Sequence, residues 1–71
     1  MLKDVIAQVL VGQDLSQEQA EQAMEVIMSG QAGDVQISSL LTALRMKGET
    51  STEITGFAQT MRNYAAQWII N

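Results

Sequence analysis

The chain has 71 residues, enough for one domain, and a fold of this size buries only about 60% of the surface its unfolded chain exposes. Four basic residues against eight acidic ones give a net charge of −4, which argues against binding a nucleic-acid backbone, where phosphates must be met by clustered Lys and Arg. With no Cys and no His, disulfides, thiolate nucleophiles, thiolate metal sites and imidazole bases are excluded, so any catalysis by this chain alone would run on carboxylates.

Leu2, Val5, Ile6, Val9 and Leu10 recur at helical spacing and predict a short first helix that Gly12 ends. Ser16 then reads as an N-cap with Gln19 at the third helical position, a capping box, and Leu15 just before it can act as a hydrophobic staple on Ala20. The stripe Ala20, Ala23, Met24, Ile27 and Met28 carries the second helix to Gly30. The third helix starts less clearly, in "GQAGDVQI", where Gly33 is preferred as N-cap over Asp34. Ile37, Leu40, Leu41 and Leu44 face one way along it, Arg45 and Lys47 suit the negative end of its dipole, and Gly48 stops it. Thr50 with Glu53 forms a second capping box, and Ile54, Phe57, Ala58, Met61, Tyr64, Ala65 and Trp68 continue a helical stripe almost to the last residue.

With no Pro and few alternating runs, strands have little place. The expectation is an all-α bundle of four helices, or three plus a short leading one, forming a single domain over residues 1–71. Its short connections favour consecutive helices that fold back on one another. No apolar run reaches the roughly 18 to 20 residues of a membrane span, and the N-terminus lacks a signal-peptide pattern, so the cytoplasm is the expected location.

Chemistry-bearing residues are sparse. Arg45 and Lys47 could hold an anion beside the free amides at the start of helix four, although helix capping explains both residues. Glu18, Glu21 and Glu25 include an i, i+4 pair, yet they interleave with Gln19 and Gln22 opposite the apolar stripe and read as a solvated face. The five methionines read as adaptable core filler. No metal, cofactor or catalytic residue is assigned. Trp68, Ile69 and Ile70 at the chain end, with Tyr64 one turn earlier, form the candidate interface, because large apolar groups there must enter the core or be covered by another chain.

The run from Leu15 to Arg62, and within it "IMSG", "QI", "ALRMKGET" and "EI" in this order and spacing, resembles the N-terminal helical domain of anthranilate phosphoribosyltransferases, of glycosyltransferase family 3. A more distant similarity is to the matching domain of pyrimidine nucleoside phosphorylases. The resemblance implies an assembly role: in that family a following α/β domain joins anthranilate to phosphoribosyl diphosphate in tryptophan biosynthesis. The helical domain there contributes to dimerisation and closes one side of the substrate cleft. The family's glycine-rich, Mg²⁺-diphosphate loop has no match in residues 1–71, so neither a site residue nor a cofactor is carried over. Gly33 and Ser51 stand where the family often has Ser and Pro, and "NYAAQWIIN" departs from its usual turn toward the α/β domain. The expected partners are therefore a second copy or an α/β domain, and the alternative function is a portion of an active transferase that walls the cleft once joined to that domain.

Overall fold

The computed structural model describes residues 2–69, with side chains described for residues 2–66. Four helices follow in order: α1 (Leu2–Leu10), α2 (Gln17–Met28), α3 (Asp34–Lys47) and α4 (Ser51–Ile69). No strand occurs among the described residues. Both capping boxes form. Ser16 Oγ accepts from the Gln19 amide at 3.1 Å while Gln19 Oε1 accepts from the Ser16 amide at 3.0 Å, and Thr50 with Glu53 repeats the exchange at 3.1 and 2.9 Å. Gly33 is the N-cap of α3 and, lacking a side chain, makes no capping hydrogen bond. Gly30 and Gly48 follow α2 and α3 with φ of 80° and 92°, a region that side-chain-bearing residues rarely adopt.

The helices pair by alternation: α1 lies along α3 and α2 along α4, whereas α1 and α2 touch less extensively. This differs from the expectation that consecutive helices would be the main packing partners. The α2–α4 pair is aligned in the same direction, since Leu15 meets Glu53, Ala20 meets Gly56 and Glu21 meets Thr60 in rising order. The molecule measures 42 × 25 × 17 Å with a radius of gyration of 12.0 Å, slightly more extended than the roughly 11 Å of an average fold this long.

Leu2, Val5 and Val9 of α1 close on Leu40, Ala43 and Leu44 of α3, joined by Leu15 and Ala23; Ile6, Ile27, Ala32 and Phe57 pack against the rim of this core. The sequence stripes of α1, α2 and α3 therefore point inward as expected for their central members, while Leu10, Met28 and Leu41 at their edges are exposed.

Helix α4 is the exception. Much of its expected core stripe is turned away from the core: Ile54, Met61 and Ala65 are exposed, Ala58 and Tyr64 are half-buried, and Phe57 packs against the core's rim. The face turned inward carries Glu53, Gly56 and Thr60. The reason is distance. A Cβ placed on Gly56 would lie 2.8 Å from Ala20 Cβ and 2.8 Å from the Gln17 carbonyl oxygen, so α4 sits closer to α2 than any larger side chain permits. Thr60 Oγ1 extends the seam, donating to the Glu21 carbonyl at 3.4 Å.

Candidate functional site: a polar joint and uncovered apolar faces

The corner "ALRMKGET" lies where three segments meet. Glu53, fully buried, is held by three donors: the Leu15 amide at 2.6 Å, the Thr50 amide at 2.9 Å and Lys47 Nζ at 3.0 Å. Lys47 Nζ also donates to Asp14 Oδ1 at 2.8 Å and to the Gly48 carbonyl at 2.9 Å, which uses all three of its protons. One carboxylate thus ties the loop before α2, the end of α3 and the start of α4. Beside it Gln8 and Gln19 exchange amide hydrogen bonds at 2.9 and 3.2 Å, and Gln8 also donates to the Asp14 carbonyl at 2.9 Å.

Burial alone pushes the Glu53 carboxyl up, but the Leu15 and Thr50 amides and the Lys47 ammonium together outweigh it and hold the group below its ordinary value of 4.5. For Lys47 the hydrogen bond from its ammonium to Asp14 is the largest influence; with the help of Glu53 it overcomes burial and raises the amine above 10.5. Both groups are therefore charged at neutral pH.

Of the groups the anion-binding alternative relied on, the Lys47 ammonium and the Thr50 and Glu53 amides are occupied by protein oxygens, which favours the capping reading of this corner. The corner is a structural joint. Glu18 and Glu25 are exposed, and Glu21 accepts from Gln17 Nε2 at 3.1 Å, as a solvated face requires. Among the described residues, no group of three or more Asp, Glu, His or Cys is placed to hold a metal ion.

The sequence signal for the joint was present in the second capping box. What it did not reveal was the tie from Glu53 to Leu15 and the part played by Asp14, both set by tertiary contact.

The surface is where uncovered apolar groups gather. Leu10 is 66% exposed, Val35 79% and Met46 80%, and they border an open groove of about 550 Å³ between α1 and α3 whose remaining walls are Ile6, Ser38, Ser39, Thr42 and Ala43. A second face lies on α4, at Ile54 and Met61. The methionines correct the core-filler reading: Met28, Met46 and Met61 are exposed and Met24 is half-buried. Of the candidate interface, Tyr64 is half-buried on α4, while the side chains of Trp68 and Ile69, and Ile70 as a whole, lie outside the described residues.

These features define a helical-bundle module with a polar joint and apolar side chains left outside its core. Residues 3–65 match the glycosyl transferase family helical bundle domain, and the chain belongs to that family. It is 52% identical over 68 residues to an anthranilate phosphoribosyltransferase of Methanosphaerula palustris, covering 96% of this chain and 20% of the relative. A namesake from Pelotomaculum thermopropionicum is 58% identical over 62 residues, covering 87% of this chain and 18% of the relative. A third, from Lachnoclostridium phytofermentans, is 52% identical over 71 residues, covering 100% of this chain and 21% of the relative. The chain thus spans about a fifth of the length of these relatives. Among the described residues, no helix is long and apolar enough to cross a membrane.

Proposed function

We propose that the chain is an assembly module of anthranilate phosphoribosyltransferase type, which brings copies together and performs no catalysis by itself. The observation that carries this reading is the apolar face around Leu10, Val35 and Met46, which remains uncovered after the bundle's own core is filled. Burying such a face in a second copy removes apolar surface from water at roughly 25 cal/mol per Å².

The outward stripe of α4 is a separate surface. In a chain as long as the relatives, it is where a further domain would pack, and Tyr64, Trp68, Ile69 and Ile70 continue that proposal toward the chain end.

Sedimentation or light scattering across about a hundredfold range of concentration tests the reading, with Trp68 emission recorded on the same samples. The expected result is a mass moving from 7.8 kDa toward twice that value as concentration rises. A red shift of emission on dilution would bring the chain end into the interface. A strict monomer at high micromolar concentration would refute homodimerisation.

A further inference from the structure

Because α1 packs on α3 and α2 on α4, every connection in the chain crosses from one helix pair to the other: residues 11–16, 29–33 and 48–50. Each crossing holds a glycine in the left-handed region, Gly12, Gly30 and Gly48, with φ of 85°, 80° and 92°. The ends of α1 and α3 lie together, where Val9 to Gly12 line a hollow with Met46 and Lys47. Helices α2 and α4 start at the same end, tied through Leu15 and Glu53. Crossings 11–16 and 48–50 therefore share the end that holds the Glu53 joint, and 29–33 lies at the opposite end.

Apolar contact between the pairs is thin. Leu2, Val5, Val9, Leu40, Ala43 and Leu44 interlock within the α1–α3 pair; from α2 the small Ala23 enters that core, Leu15 enters from the first crossing, and Ile27 and Phe57 reach only its rim. Ala20, although fully buried, belongs to the seam with Gly56 inside the α2–α4 pair. A contact surface made of small and peripheral side chains resists sliding less than interlocked large ones. Among the described residues, the side-chain hydrogen bonds that join the pairs all lie at the joint end, as Gln8 with Gln19 and Lys47 with Glu53.

The two crossings that bound α3 define a line along that helix, and the longest crossing, 11–16, lies off the line. Turning the α1–α3 pair about α3 therefore requires residues 11–16 to shift. The joint holds that segment from three sides: Lys47 donates to Asp14 Oδ1, Gln8 donates to the Asp14 carbonyl, and Glu53 accepts from the Leu15 amide.

We propose that the joint is a latch: Glu53 and Lys47 hold the crossing 11–16, and on their release the α1–α3 pair rolls as a unit about α3 against the α2–α4 pair. The motion changes the angle between the apolar face at Leu10, Val35 and Met46 and the outward stripe of α4, whatever covers either surface. The latch is thus a conformational device separate from the assembly reading.

Distances between paired spin labels test it, since the chain has no cysteine of its own and labels go only where cysteine is introduced. Ala7→Cys with Thr55→Cys reads from one pair to the other. Ala7→Cys with Arg45→Cys reads within α1–α3, and Glu25→Cys with Thr55→Cys within α2–α4; all four positions are exposed. Each labelled chain is diluted into excess unlabelled chain, so that distances within one copy are recorded. With the native joint, all three distributions should be narrow. In the Glu53→Gln background, the Ala7–Thr55 distribution should shift or broaden by several ångströms while both distances within a pair stay put. Circular dichroism at 222 nm establishes that the helices are retained, and Lys47→Met, which leaves Glu53 its two amide donors, repeats the test should Glu53→Gln not fold.

Hydrogen exchange reads the same opening in the unaltered chain. The Leu15 and Thr50 amides, which Glu53 accepts from, should exchange on the order of tenfold or more faster than amides in the middle of α2, whose helical bonds survive the roll. An Ala7–Thr55 distance that Glu53→Gln and Lys47→Met both leave unchanged overturns the latch. So does a change of all three distances together, which marks general loosening of the fold. The oligomeric state of the unlabelled chain, read by sedimentation, decides the assembly reading independently of either result.

Discussion

Replacing Gly56 by Ala tests whether close approach of α2 and α4 is what turns the apolar stripe of α4 outward. On an isolated helix the change stabilises by about 0.5 to 1 kcal/mol, because Gly carries the greater backbone entropy. Here the added methyl would sit 2.8 Å from Ala20 Cβ and 2.8 Å from the Gln17 carbonyl oxygen, with the Glu21 amide nitrogen at 3.4 Å. Two of the three neighbours are backbone atoms and cannot rotate away, so the helices must separate. Overpacking of this kind costs about 1 to 3 kcal/mol. The net expectation is a loss of about 1 kcal/mol or somewhat more, which for a domain of this size lowers Tm by about 4 to 8 °C per kcal/mol. Thermal and urea unfolding followed by circular dichroism at 222 nm measure it. Ala20→Gly in the Gly56→Ala background should cost less than it does alone, since it removes one of the two contacts at 2.8 Å and leaves the Gln17 oxygen. A Gly56→Ala variant with raised Tm would refute the close approach and, with it, the explanation of α4's orientation.

Other substitutions address the joint and the caps. Glu53→Ala leaves the buried Lys47 ammonium with Asp14 and Gly48 alone and orphans the Leu15 amide, a loss of about 3 to 5 kcal/mol; against a total of roughly 4 to 10 kcal/mol for a chain this long, the midpoint in urea should fall by a third or more. Because the Glu53 carboxyl is held below 4.5 in the fold, its contribution is present above the unfolded value and is lost as pH falls through the lower folded value; acid titration should show this loss below about pH 4.5, and Glu53→Gln should remove that component. Lys47 has the opposite sign: its contribution is complete below 10.5 and disappears as pH rises through the higher folded value, so Lys47→Met should flatten the alkaline limb of the stability profile. Ser16→Ala removes the acceptor of the Gln19 amide and should cost about 1 kcal/mol, read from the same urea curves.

What could be read from sequence follows from how local the cause is. Ser16 with Gln19 and Thr50 with Glu53 announce helix starts because each box closes within four residues, and Gly12, Gly30 and Gly48 mark stops by backbone geometry alone. The inward faces of α1 and α3 were legible because their buried residues are large and apolar. The facing of α4 was not, because the deciding residues are a carboxylate, a glycine and a threonine, none of which contributes a large apolar side chain to a helical stripe. The available signal was their spacing: Glu53, Gly56 and Thr60 follow at three and four residues, and α2 carries the small Ala20 and Ala23. Such a seam of small residues is informative only once two helices are known to pair. The candidate site was less legible still, since the groove is a relation between α1 and α3 and its outer stripe of Val35, Ser38, Ser39, Thr42 and Met46 mixes apolar with hydroxyl groups.

The joint and the uncovered faces bear on one another through the energetics of a small domain. A buried ion pair seldom adds net stability over an apolar pair of similar size, because desolvating two charges costs about what their attraction returns. Its effect here is geometric: Glu53 accepts from the Leu15 amide, the Thr50 amide and Lys47, and the resulting contacts fix where α3 ends relative to the start of α4. Meanwhile Leu10, Val35, Leu41, Met46, Ile54 and Met61 lie outside the core, so much of the hydrophobic driving force that the composition offers is not used within the bundle. A chain that holds its surfaces in a fixed arrangement with polar groups, while leaving large apolar residues outside, gains its remaining stability when those residues are covered. Under the assembly reading, Tm should therefore rise with protein concentration in the wild type and lose that dependence in Val35→Lys.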